Sequence, residues 1–208
     1  MGEAGRWKKV VYVFFCMSGA LGPLRPYCIV PKSHGEKANM RSLEGDVLRL
    51  EASLSDFPGA VIVAGNAWPL YYDLESIRQA FARLGSRVVN VVSTLADRKE
   101  EAVLDYMSNR SEPYVVLASP EFEFSSRTDE RRIDVDGQRG FDQDAQSALR
   151  ARLRSIGDPA ARPLTKDDIL QATASALALR RASRILSRVR ASEDSQFQRS
   201  LRALLGER

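Results

Sequence analysis

Between Pro58 and Ser119 one hydrophobic pattern occurs three times: a short β-branched run, a turn with small polar residues, then a stretch with apolar positions three and four apart. The runs are Gly-Ala-Val-Ile-Val-Ala-Gly at 59–65, Ser-Arg-Val-Val-Asn-Val-Val-Ser at 86–93 and Glu-Pro-Tyr-Val-Val-Leu-Ala-Ser at 112–119. Apolar runs without polar alternation suit strands covered on both faces. Helical patterns between such runs predict a parallel sheet clothed in helices. An earlier run, Lys9 to Phe15, reads as a first strand, and Tyr27 to Val30 as a short second one closed by Pro31.

The helical segments carry their own punctuation. From about Asn39 to Ser55, Met40, Leu43, Val47, Leu50 and Leu54 share one face. Asp73 caps a helix to Leu84 that Gly85 stops, and Ser93 or Thr94 caps another to about Ser108. Residues 121–124 and 132–137 alternate apolar and charged positions, as in an exposed antiparallel hairpin or a charged loop. A helix is expected from Phe141 to Ile156 and a linker from Gly157 to Pro163. Thr165 and Asp168 then form a capping box flanked by the staple pair Leu164 and Ile169. That helix runs to about Arg190, and a final one carries Phe197, Leu201, Leu204 and Leu205 on one side.

These elements predict an α/β fold. Its body is a mainly parallel open sheet of four or five strands flanked by helices, a Rossmann-like three-layer arrangement, with a C-terminal helical extension. The expected divisions are an α/β domain at 7–120, a hairpin, helix and linker at 121–163, and a basic helical tail at 164–206. The totals agree with a globular chain: 208 residues, 44% hydrophobic and 28% charged. Charge is unevenly placed. Arg150 to Arg208 holds 13 Lys and Arg against 6 Asp and Glu, a net of +7, while the rest holds 18 against 21, a net of −3. Such asymmetry points to an anionic partner for the tail, or to solvated arginines on surface helices.

Two cysteines, Cys16 and Cys28, lie in no C-x-x-C pattern, and His34 is the single histidine, so a zinc site is not expected. The N-terminus reads in two ways. Arg6, Lys8 and Lys9 before the run Val10 to Met17, with Ser18-Gly-Ala20 after it, resemble an export signal spanning 1–20. The β-branched and aromatic content of the run instead favours a strand, and with it a cytoplasmic location. No run approaches the roughly 20 apolar residues of a membrane-spanning helix.

Ligands of parallel sheets sit at the carboxyl ends of the strands. The loop after the central strand is the leading candidate. Gly65 admits close backbone approach, Asn66 offers donor and acceptor, and Trp68 and Tyr71, with Tyr72, offer flat surfaces. Ser93, Thr94 and Asp97 in the next strand-end turn supply hydroxyls and a carboxylate, although the same spacing suits a helix cap. Ser18-Gly19 follows the first strand, and Ser119 and Glu121 end the last. No nucleophile elbow, phosphatase loop or dinucleotide fingerprint is present, so no catalytic residue, metal or cofactor is assigned. Glu121, Glu123, Asp134 and Asp136 would share a hairpin face and read best as solvated acids.

In the tail, a helix aligns Arg180, Arg184 and Arg188, with Arg181 alongside, as rungs about 6 Å apart. Such a ladder suits successive phosphates of a nucleic-acid backbone, or a row of carboxylates on a protein partner. The sequence therefore favours a non-catalytic binding or assembly protein whose basic arm docks on a larger complex. A small-molecule binder or enzyme using the strand-end loops is the alternative, and an exported protein is the third reading.

Overall fold

The computed structural model describes residues 10–16, 20, 44–65, 73–92, 99–119 and 124–173. The chain divides into two compact units, 1–169 and 170–208. Of the second, residues 170–173 are described, and they are helical. The rest of the basic tail, including Arg180, Arg181, Arg184 and Arg188, lies outside the described residues, as do the expected strand Tyr27 to Val30 and the start of the helix expected from Asn39.

Among the described residues the first unit has five strands: β1 (Val11–Cys16), β2 (Ala60–Gly65), β3 (Val88–Val91), β4 (Tyr114–Ala118) and β5 (Arg132–Asp134). They form one sheet in the order β3-β2-β1-β4-β5. Every pairing is parallel. Cys16 is the register partner of Gly65, Phe15 of Leu117, and Ala118 of Asp134. The sheet and its covering helices make the expected three-layer α/β fold. β1 is central, with β2 on one side and β4 on the other. The apolar run that suits either a strand or an export signal is thus the middle of the sheet.

Helices among the described residues include α1 (Glu44–Leu54), α2 (Leu74–Ala80), α3 (Lys99–Met107), α4 (Gln143–Ile156) and the short α5 (Asp158–Ala161). Successive residues of a strand face opposite sides, so β1 separates two layers. Val11, Val13 and Phe15 join Leu50 and Leu54 of α1, Ile77 of α2 and Leu149 and Leu153 of α4 in one core. Tyr12 and Phe14 point the other way and meet Tyr106 of α3 edge-on, with ring centroids 5.6 and 5.3 Å away. Burial, then the neighbouring Tyr106, pushes the Tyr12 phenol up to about 12. α4 is defined at both ends. The Asp142 carboxylate accepts from the Asp144 and Ala145 N–H groups, and Gly157, at φ 75°, closes it where an L side chain would be strained.

Three expectations change. Arg132 to Asp134 does not turn back as an antiparallel hairpin: it continues the sheet in parallel beside β4. Its charged residues are those of an edge strand, with Arg132 paired to Asp129 at 3.0 Å and to Asp134 at 2.6 Å. The other half of that hairpin, 121–123, lies outside the described residues. Gly85 does not stop the Asp73-capped helix. α2 ends at Ala80, and the chain tightens into a 3-10 segment from Ala82 to Arg87. Ala82 takes the positive φ of 47°. Gly85 is small for another reason: a Cβ there would run into the carbonyl of Arg78. Finally, the linker at 157–163 is in part α5, whose Ala160 is fully buried and accepts the Gly59 N–H at 2.9 Å.

Candidate functional site

The five strands end at Cys16, Gly65, Val91, Ala118 and Asp134 along one edge. The chain moves outward from β1 through β2 to β3, then crosses back to β4 on the far side of β1. The order therefore reverses between β1 and β4. In open α/β sheets ligands bind outside the carboxyl ends of the strands at such a point.

Ser119 is the first residue beyond β4 at this point. It is 2% exposed, and its hydroxyl is buried with no hydrogen-bond partner. A buried hydroxyl without a partner costs about 1–3 kcal/mol, so such groups are few and call for an explanation. The backbone around it is well held. The Val135 N–H donates to the Ala118 carbonyl at 3.0 Å, which extends the pairing of β5 past its last residue.

A second polar device secures the chain that follows. Glu100, in the first turn of α3, is 3% exposed. One carboxylate oxygen accepts the Ser125 N–H at 3.1 Å and the Ser125 hydroxyl at 2.5 Å, and the other accepts the Thr128 hydroxyl at 2.7 Å. Burial alone would raise this carboxyl. The hydrogen bonds from Ser125 and Thr128, with Arg127 nearby, overcome burial and hold it below the usual glutamate value. Glu100 thereby clamps the β4–β5 crossover to α3. Nothing in the sequence marks it, because an acid in a first helical turn is ordinary.

Of the strand-end residues favoured by the sequence, Gly65 is described. It is buried and ends β2 in register with Cys16. Asn66, Trp68 and Tyr71 fall in 66–72, and Ser93, Thr94 and Asp97 in 93–98, both outside the described residues, as is His34. β2 and β3 are neighbours, with Ala64 opposite Val91, so these two segments leave from adjoining strand ends. Asp134 and Asp136 do not act together: Asp134 pairs with Arg132, and Asp136 accepts the Gln138 N–H at 2.8 Å. Among the described residues no three His, Cys, Asp or Glu side chains converge on a metal-sized site. Among them, too, no helix is long and apolar enough to cross a membrane.

No known protein family, curated protein or solved structure matches the chain.

Proposed function

We propose that this protein binds a small polar ligand at the carboxyl edge of its sheet, in the crevice between β1 and β4. The observation that carries this is the Ser119 hydroxyl, buried at the reversal of strand order and left without a hydrogen-bond partner. A ligand with a donor or acceptor there would satisfy it. A thermal-shift screen with nucleotides, sugar phosphates and amino acids tests the reading. A stabilising compound is expected, and its affinity falls about tenfold in Ser119→Ala, the value of one good hydrogen bond. Absence of any stabilising compound, or equal stabilisation of the variant, overturns the proposal.

A second reading concerns the tail and is supported by its charge: 8 Lys and Arg against 3 Asp and Glu from Leu170 to Arg208, a net of +5, against −1 elsewhere. Here the arm docks on a nucleic-acid backbone or an acidic protein surface through Arg180, Arg181, Arg184 and Arg188. Binding to a DNA duplex that weakens steeply with salt, and is lost in the triple variant Arg180→Ala, Arg184→Ala, Arg188→Ala, is the expected result. Binding indifferent to both rejects it. The central place of β1 supports retention of Val11–Cys16 in the mature chain, and with it the cytoplasmic rather than the exported reading. The intact mass of native material tests this: a retained Met1 or Gly2 agrees, and a chain starting near residue 21 does not.

A further inference from the structure

The amino edge of the sheet carries an open cleft of about 660 Å³ where β4 begins, between the last turns of α3 and α4 and the turn before β5. That volume is in the range of small-molecule sites. Three arginines line it, Arg110, Arg131 and Arg152. Each is held by a neutral group. The Arg110 guanidinium lies 3.9 Å from the Tyr106 ring centroid and donates to the Tyr106 carbonyl. Arg131 lies 4.7 Å from the Tyr114 ring and donates to its hydroxyl at 3.0 Å. Arg152 donates to the Glu130 carbonyl.

Elsewhere among the described residues, Arg49, Arg78, Arg83, Arg132, Arg139 and Arg150 pair with carboxylates, whereas Arg87, like the cleft arginines, is held by neutral groups, the carbonyls of Leu54 and Phe57. Among the described residues no carboxylate comes within ion-pair distance of the three cleft arginines. Capping the carboxyl end of α3 explains Arg110 in part. It does not explain Arg131, which serves no helix end. A guanidinium has five N–H donors, and these bonds engage Nη1 of each. The Arg110 Nη2 is buried with no hydrogen-bond partner. Aromatic stacking fixes the orientation of two of the three forks in advance, which lowers the entropy lost when an oxyanion is bound. Glu112 and Glu130 also line the cleft and leave the lining only one positive charge in excess. That balance suits one anionic group and works against a polyanion such as nucleic acid.

We propose that this cleft binds a small organic anion, with one phosphate or carboxylate group on the arginines and an apolar body against Met107, Tyr114 and Ile156. It is a site separate from the Ser119 crevice, at the opposite edge of the sheet. Calorimetric titration of the full chain at low ionic strength with phenyl phosphate, benzoate and inorganic phosphate tests it. One of the two aromatic anions is expected to bind with a Kd of about 1 mM or tighter, and which one it is assigns the head group. Binding should weaken about tenfold in Arg131→Gln and in Arg152→Gln, the loss of one charge-assisted hydrogen bond, and strengthen in Glu130→Gln. Inorganic phosphate, lacking the apolar body, should bind more weakly than either. Arg131 is exposed, so its variant folds even if Arg110→Gln does not. No saturable binding of either aromatic anion, or affinities unchanged in both arginine variants, overturns the proposal.

Discussion

Beneath β1 and β2, at the amino end of the sheet, the backbone is closed on itself. The Val11 N–H donates to the Gly59 carbonyl at 3.0 Å, Tyr12 to Pro113 at 3.0 Å, and Gly59 to Ala160 at 2.9 Å. The approach of α5 is so near that Gly59 has no room for a side chain. At the carboxyl end of β4, Ser119 is buried as deeply, yet its hydroxyl has no partner. Both ends lie at the margin of one sheet and are equally dry. At the first these backbone groups hold the fold, although Arg162 nearby keeps Nε and Nη2 buried without partners, and at the second a side-chain hydroxyl is left over. A backbone group already engaged has nothing left to offer a ligand, whereas the Ser119 hydroxyl has.

The largest effect should come from the closed end. Gly59→Ala forces a Cβ into the carbonyl of Pro159 and is expected to destabilise by about 3 kcal/mol, the upper part of the overpacking range. Urea unfolding should show a lower midpoint at unchanged slope. A variant as stable as the parent would mean that α5 yields, and the contrast between the two ends would dissolve.

Glu100 tests whether the chain beyond the open end is held as firmly as the geometry implies. Glu100→Gln weakens three charge-assisted hydrogen bonds and should cost about 2 kcal/mol at neutral pH. The pH dependence has a definite sign. A carboxyl depressed in the folded state contributes stability above the ordinary glutamate pKa, and that contribution disappears as pH falls through the lower folded value. Between neutral pH and the acid range, stability of the parent should fall more than that of Glu100→Gln. Parallel stability profiles for the two proteins would show that the clamp carries no charge-dependent energy.

Ser119→Ala sharpens the contrast directly. Removing an unpartnered buried hydroxyl should leave stability unchanged or raise it by about 1 kcal/mol, even as the variant loses the ligand. A marked loss of stability without ligand would show that the hydroxyl is already satisfied by the protein. The smallest effect is a control on the glycine argument. A Cβ added at Gly45 in α1 would meet nothing within 4 Å, so Gly45→Ala should stabilise by about 0.5 kcal/mol through the unfolded chain. Opposite signs at Gly45 and Gly59 would confirm that crowding, not glycine itself, sets the response.

Much of the architecture is legible in the sequence. The runs at 60–65, 88–91 and 114–118 are apolar at every or nearly every position, and a run with no polar face has no stable place except inside a sheet covered on both sides. Asp73 and Asp142 also act locally, because a cap needs only the next three N–H groups. The fifth strand is hidden because Arg132-Ile-Asp alternates. Alternation says that one face is wet, but it does not say which strand lies alongside or in which direction. Gly85 misleads for a related reason: a glycine after a helical pattern signals a stop, whereas its actual constraint comes from Arg78, seven residues earlier, across the folded-back chain.

The candidate site divides in the same way. Hydrophobic periodicity along the chain is enough to determine an α/β body with ligands expected at strand ends, since periodicity is a local property of consecutive residues. Which two strand ends face the reversal, which serine is buried there without a partner, and which glutamate anchors the crossover depend on residues far apart in the chain becoming neighbours. Packing alone settles that, because hydrogen-bond satisfaction and burial belong to the assembled core and to no segment of it.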